Sequence, residues 1–403
     1  MTTSSKALVR PELLTWARAN AELSVPEAAR KAQLKEEQLI AWEKGDDQPS
    51  IAQLRKLGRI YKRPLAVFYL PRPPKTFDAL RDFRRLARGQ AGKQSPELAF
   101  EIRRAHSRRE IALDLYQELA GVEPKAFSTM TSLDEPPEDA AARLRDLLGV
   151  KLGESSSWKT VRDAFNRWRG ALENTGVLVF QAEDVEVSEM RGFSISERVF
   201  PVVVVNIKDA FVGRIFSMLH ELTHLSLREG GLCDLLEESS QAQERIEVFC
   251  NHVAAATLMP AASILAEQMV RDHKGAQWSN GEIQFLTQRY RVSREAVVRR
   301  LLALGKTTED FYRRKRKELQ AEFEAQQDEI QQRKALGLET GGFAPPHRLA
   351  VSTAGPLFVR LVLESYHQEK ITANDLSSYL EVRLKHISKI EHTVLGATSG
   401  ARA

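Results

Sequence analysis

At 403 residues with 42% hydrophobic and 28% charged side chains, the chain is too long for one small core and has an ordinary globular balance, which implies two or three domains. The formal net charge of +5 is too slight an excess to mark a nucleic-acid binder by itself, and two cysteines cannot build a disulfide framework. No apolar run approaches the length of a membrane span, and the first ten residues carry no export signal, so the expected location is the cytoplasm, with Cys233 and Cys250 as free buried thiols.

Taken in chain order, residues 8–70 read as a compact all-helical unit. Leu13, Leu14, Ala17 and Ala21 recur at helical spacing. Ser24 and Glu27 form a capping box around Pro26, Gln33-Leu34-Lys35 makes a tight turn, and a helix from Glu36 to Lys44 stops at Gly45. Ser50 caps a further helix through Ile51, Leu54, Leu57 and Ile60. Residues 71–97 are bounded by prolines and glycines and form a linker that carries Arg81, Arg84, Arg85 and Arg88. A connecting helical region, 98–139, follows. The runs 177–180 and 199–205 are rich in β-branched residues and predict strands. Helical periodicity then resumes through about Met269 and again over 282–304, where Ser293 caps a basic helix with Arg294, Arg299 and Arg300. Residues 306–346 hold a charged helix, with the run Arg313 to Lys317, and a second linker. The amphipathic stretch within 347–403 forms a C-terminal helical module, suited to homodimerisation or sensing.

The sharpest chemical signal is His220-Glu221-Leu222-Thr223-His224. On a helix, residues four apart share a face, so both imidazoles can reach one ion, while Glu221 stands close enough to act on a water beside it. A third protein ligand is needed. Glu247 opens a strongly helical stretch, with Asn251 four residues on and able to hydrogen-bond a ligating histidine; Glu237, Glu238 and Glu244 are rival carboxylates in a polar run. His252 reads as structural.

The string Glu247 to Pro260, EVFCNHVAAATLMP, resembles the second signature of the ImmA/IrrE-type metallopeptidases. Gly192-Phe193-Ser194, the run Pro201 to Asn206, and Phe216 to Leu219 leading into the histidine motif resemble the family as well. Cys250, Val253 and Thr257 depart from it at positions that read as packing. The resemblance implies a zincin-like metallopeptidase domain over 140–305, zinc held by His220, His224 and Glu247, Glu221 as general base, and cleavage of helix-turn-helix repressors in a stress, phage or mobile-element response. The strand centred on Val203 to Val205 is either an internal strand or one that accepts the substrate peptide along its edge.

The N-terminal unit is similar to the Cro/repressor-type helix-turn-helix. Its recognition helix would present Lys35 and Gln38 to DNA, with Arg10, Arg18, Arg30 and Lys31 toward the backbone, yet Glu36 and Glu37 in the same turn repel phosphate. The expected fold class is therefore α+β and mostly helical: an all-α N-terminal domain, a peptidase domain with a small sheet, and a C-terminal helical module. The alternative function is a DNA-binding regulator or antitoxin-like protein whose peptidase fold is a sensor. A folded helix resists proteolysis where a flexible linker does not, so the 71–97 linker is also a candidate site of self-cleavage.

Overall fold

In the computed structural model, the residues described are 6–21, 23–63, 65–73, 95–121, 124, 126–128, 131–151, 153–228, 240–336 and 344–399. Most of the 71–97 linker, Cys233, Glu237 and Glu238 thus lie outside the described residues. The chain divides into two compact units, Met1–Ser107 with Asp184–Met190, and Arg108–Glu183 with Arg191–Ala403. The fold class is α+β and mostly helical, with one three-stranded sheet among the described residues.

The first unit holds α1 (Pro11–Asn20), α2 (Val25–Ala32), α3 (Glu36–Lys44) and α4 (Ile51–Ile60), then a short 3-10 turn, Leu65–Tyr69, and the start of α5 (Pro96–Ala120). The local signals act as the sequence implies. The Ser24 and Ser50 side chains cap α2 and α4 in full capping boxes with Glu27 and Gln53. Gly45 ends α3 in the left-handed region at φ 85°. Leu13, Leu14, Ala17, Leu39, Trp42, Leu54, Leu57, Tyr61 and Phe68 form its core, while Leu34 is only partly buried. This unit is compatible with a helix-turn-helix domain, α2 and α3 forming the motif.

Arg18 corrects an expectation. Its guanidinium makes a two-pronged ion pair with Glu43, at 2.7 and 2.8 Å, and donates to the Leu23 carbonyl at 2.9 Å. The hydrogen bond that Arg18 donates to Glu43, set against the cost of burial, raises the pKa of Arg18 further. A fork engaged on both sides locks α1 to the end of α3 and is not available to a DNA backbone.

In the second unit, α6 (Pro137–Leu148) and α7 (Val161–Asn174) precede the sheet. β1 (Leu178–Ala182), β2 (Gly192–Ile195) and β3 (Val202–Asn206) are ordered β1-β3-β2, with β1 parallel and β2 antiparallel to β3. Every residue of β3 is buried, as a run of valines needs when a strand is covered on both faces. Because β3 is paired on both edges, it is the internal strand and cannot take on a peptide; among the described residues, the strand with an unpaired edge beside α8 (Phe211–Arg228) is β2.

α8 packs across β2, β3 and α7, and α9 (Ser240–Leu258) packs against α8 and α6. Two short helices, α10 (Ala261–Ala266) and α11 (Gln268–Asp272), lead to α12 (Asn280–Tyr290) and α13 (Arg294–Ala303). The arginines of this basic pair are spent internally. Arg289 meets Glu267 at 2.9 Å, Arg291 donates to the Trp158 carbonyl at 2.7 Å, and Arg300 donates to the Met259 carbonyl at 2.8 Å. Packing contacts thus engage these three arginines.

The long helix α14 (Glu309–Ala335) begins buried at Phe311, Tyr312 and Lys315, while Arg313 and Arg316 face solvent. The C-terminal helices α15 (Pro346–Ala354), α16 (Pro356–His367), α17 (Ala373–Tyr379) and α18 (Ile387–Ser399) then return to the sheet. α15 lies on β1, where Gln181 donates to the Ser352 carbonyl at 2.7 Å. Gly355, at φ 75°, sits so close that a Cβ would stand 2.4 Å from the Val179 carbonyl oxygen and 2.9 Å from Glu173. Glu173 accepts the Leu357 amide at 3.2 Å, a carboxylate at the positive end of α16. Burial pushes that carboxyl up to about 7, against the pull of Arg169.

Candidate metal centre

α8 is built to place three side chains and hide the rest. Ile215, Met218, Leu219, Leu222 and Leu225 are buried, and the hydroxyls of Thr223 and Ser226 fold back onto the carbonyls of Leu219 and Leu222 at 2.9 and 2.8 Å. On the remaining face, one turn apart, stand His220 and His224, with side chains 14% and 18% exposed. α9 contributes Glu247 and buries Cys250, Val253, Ala254 and Thr257 beneath it. Thr257 satisfies its hydroxyl on the Val253 carbonyl at 2.8 Å, which is how a polar residue serves at a packing position.

The three side chains converge. Nε2 of His220 lies 3.1 Å from Nε2 of His224, and the Glu247 carboxylate spans the pair, Oε2 being 3.3 Å from His220 and Oε1 3.3 Å from His224. A tetrahedron's edge is about 1.6 times its centre-to-corner distance, so ligands about 2.0–2.1 Å from zinc stand about 3.3 Å apart. The two imidazole nitrogens stand near that edge length, and each has one of the two Glu247 oxygens at that distance, so the carboxylate is within reach of the same centre. Two imidazoles and one carboxylate are also the donor set of a catalytic zinc site, with one position left open. Among the described residues this is the one cluster able to hold a metal ion, and neither Glu244 nor His252 belongs to it.

The electrostatics suit a cation. Burial favours neutral His220, but the hydrogen bond to Glu247, the charges of Glu221 and Glu247, and the side chain of Asn251 outweigh it and raise its pKa. Burial likewise disfavours a charged Glu247, yet its hydrogen bonds to the two histidines hold it well below the usual carboxylate range. An ion at the centre would replace the protons that these groups otherwise share. Asn251 lies near enough to add to this pull on His220, but among the described residues Nδ1 of that ring is buried with no hydrogen-bond partner.

Residues 172–302 match the family Peptidase_M78, the IrrE N-terminal-like domain. This segment is similar to the Peptidase_M78 family. The match begins at the end of α7 and closes in α13, so it spans the sheet, α8 and α9. No curated protein matches the chain. Among solved structures, the chain is similar to a Mycobacterium tuberculosis transcriptional regulator at 17% identity and a TM-score of 0.30, over 48% of this chain and 51% of that one. The chain thus spans about half the length of that structure.

Within the matched segment, Glu221 leaves the face of His220 and His224 and turns toward β2. Ser194 donates a hydrogen bond to its Oε2 at 2.9 Å. Gly192 lies directly beneath; a Cβ there would stand 3.1 Å from the Val204 carbonyl oxygen and 3.3 Å from Cγ of Glu221. Sequence reasoning marked Gly192 and Ser194 only as part of a family string and missed their role against Glu221. The signal was a glycine and a hydroxyl at alternate positions, which places both on one face of a strand.

In the N-terminal unit, Lys35, Arg30 and Lys31 are exposed and Gln38 is half-buried, with Glu36 and Glu37 exposed on the same first turn of α3. Lys31 also lies 3.9 Å from Glu97. These four basic and amide groups do not converge as the ligands of α8 and α9 do. Among the described residues, no helix is long and apolar enough to cross a membrane.

Proposed function

We propose that the protein is a zinc-dependent, site-specific endopeptidase that regulates transcription by cutting a helix-turn-helix repressor. The observation that carries this reading is the convergence of His220, His224 and Glu247, two imidazole nitrogens 3.1 Å apart with a Glu247 oxygen 3.3 Å from each, a donor set that suits tetrahedral zinc, with Glu221 held beside it and off the ligand set. When bound, zinc supplies Lewis acidity and makes water nucleophilic near neutral pH.

The chain's own residues supply the rest. The unpaired edge of β2 offers backbone groups to an extended substrate, which would lie antiparallel or parallel to Gly192–Ile195 next to α8. Glu221 accepts the proton of the attacking water and returns it to the leaving amine. Ser194 keeps the Glu221 carboxylate in one orientation by bonding Oε2, which leaves Oε1 to take the proton. Asn251 steadies the His220 ring from α9. A repressor is the favoured substrate because the metal motif sits in a chain that has a helix-turn-helix-compatible unit of its own.

The test is incubation of the full chain and its Glu221→Gln variant with zinc and a panel of purified helix-turn-helix repressors, read by intact mass. The wild type should cut at least one panel member at a single bond, and the variant should keep zinc while losing activity by about a thousandfold or more. Equal cleavage by both proteins would remove Glu221 from the mechanism. A wild-type fragment ending within 71–97 would add self-cleavage.

A further inference from the structure

The N-terminal unit contains a cluster that its helix-turn-helix character does not explain. α4 ends in a tight turn in which Lys62 takes a left-handed backbone at φ 50° and the Arg63 amide donates to the Gly58 carbonyl at 2.8 Å. That turn folds the Arg63 guanidinium over the indole of Trp16 at 4.6 Å from the ring centroid. From α5, Arg103 comes close enough for the two positive charges to oppose each other.

Both guanidinium groups are partly buried, and among the described residues neither has an ion pair. Burial lowers the pKa of Arg63, and burial together with the charge of Arg63 pushes Arg103 down to about 10; no carboxylate offsets either effect. Three N–H donors in this cluster, Nε of Arg63, an Nη of Arg103 and Nε1 of Trp16, are buried with no acceptor among the described residues. The neighbouring cations differ. Arg104 meets Glu101 at 3.4 Å and Lys62 meets Asp184 at 2.8 Å. Desolvated like charges repel, and buried donors without acceptors cost free energy, so a cluster made only of donors and cations is complementary to an anion.

We propose that Arg63 and Arg103, with Trp16 beside them, bind a small phosphate-bearing solute. Phosphate matches on three counts: it brings more than one negative charge, it offers several acceptor oxygens to three donors, and it suits the fixed fork of arginine. A free solute fits better than a duplex backbone, because the unpartnered Arg63 Nε and Arg103 Nη are buried and a compact group reaches them more readily than a polymer lying on the surface.

The experiment is calorimetric titration of the full chain with sodium phosphate against sodium chloride at matched ionic strength, alongside Arg63→Met, Arg103→Met and Arg103→Lys. The wild type should give a saturable isotherm. Each methionine variant should weaken phosphate at least tenfold, and Arg103→Lys, which keeps charge but loses the fork, should weaken it less. Arg103→Met should also melt no lower than the wild type without phosphate, since it removes a repulsion. If far-ultraviolet circular dichroism shows a methionine variant unfolded, the lysine variant decides. No saturable wild-type isotherm, or the same phosphate affinity in the wild type and every folded variant, overturns the site. So does loss of affinity for a 20-base-pair duplex with phosphate binding unchanged, which would assign the arginines to nucleic acid.

Discussion

α8 in the second unit and α3 in the first spend their polar side chains in opposite ways. On α8, His220 and His224 share a face, Glu247 closes on them from α9, and Glu221 is turned aside and held by Ser194. Polar groups there converge because the apolar residues of the same helix are buried against the sheet and leave no freedom of rotation. On α3, Leu39 and Trp42 are buried and Glu43 is consumed by Arg18, while the outward turn carries Lys35, Glu36, Glu37 and Gln38 with no common target. A fold fixes chemistry where side chains from two elements meet, not where one helix faces water.

The sharpest way to break this contrast is to disturb the wall behind Glu221. Gly192→Val places a branched side chain against Cγ of Glu221 and the Val204 carbonyl, so peptidase activity should fall by about a hundredfold or more while zinc content stays at wild-type level. Wild-type turnover in this variant would mean that β2 does not position the base. Ser194→Ala removes only the hydrogen bond and should cost on the order of tenfold in kcat, with KM little changed. A change confined to KM would instead mark Ser194 as a substrate contact.

The other half of the contrast predicts a small effect. Binding of a DNA duplex should be weak, fall steeply with salt and differ little between sequences, because Glu36 and Glu37 oppose base readout in the turn that would enter the groove. Fluorescence anisotropy at several salt concentrations measures this. A nanomolar, sequence-selective complex at physiological salt would contradict it.

Glu173 allows a comparison within the second unit, between a carboxylate spent on packing and those spent on the metal face. Its folded pKa of about 7 lies above the ordinary value of 4.5, so the native state binds the proton more tightly than the unfolded state. The stability this supplies is present below about pH 4.5 and is lost as pH rises toward 7. Glu173→Gln should flatten the decline in melting temperature over that window and leave zinc content unchanged. An identical pH profile in both proteins would show that the carboxyl titrates normally.

Much of the contrast was legible in the sequence, and the physical reason differs by element. The caps at Ser24, Ser50 and Ser293 are local, so neighbours three residues away decide them. The pairing of His220 with His224 is also local, a matter of helical period. Glu247 is 23 positions beyond His224, and only its place in a helical stretch and the family string singled it out. What stayed hidden depends on contacts between distant segments. β3 read as a strand, but whether it was internal depended on where β2 paired, and β2 is too short to announce itself by alternation. Arg18 looked free until α1 met Glu43. Gly355 gave no sign that the C-terminal helices press on β1 and Glu173.

The central claim is that α8 and α9 together make one zinc site, and metal analysis tests it most directly. Purified wild type and the variants His220→Ala, His224→Ala, Glu247→Ala and Glu244→Ala would be measured by inductively coupled plasma mass spectrometry after removal of loosely bound ions. The account predicts one zinc per wild-type chain, retained in Glu244→Ala and largely lost in the other three. No zinc in the wild type, or losses in Glu244→Ala equal to those in Glu247→Ala, would contradict it.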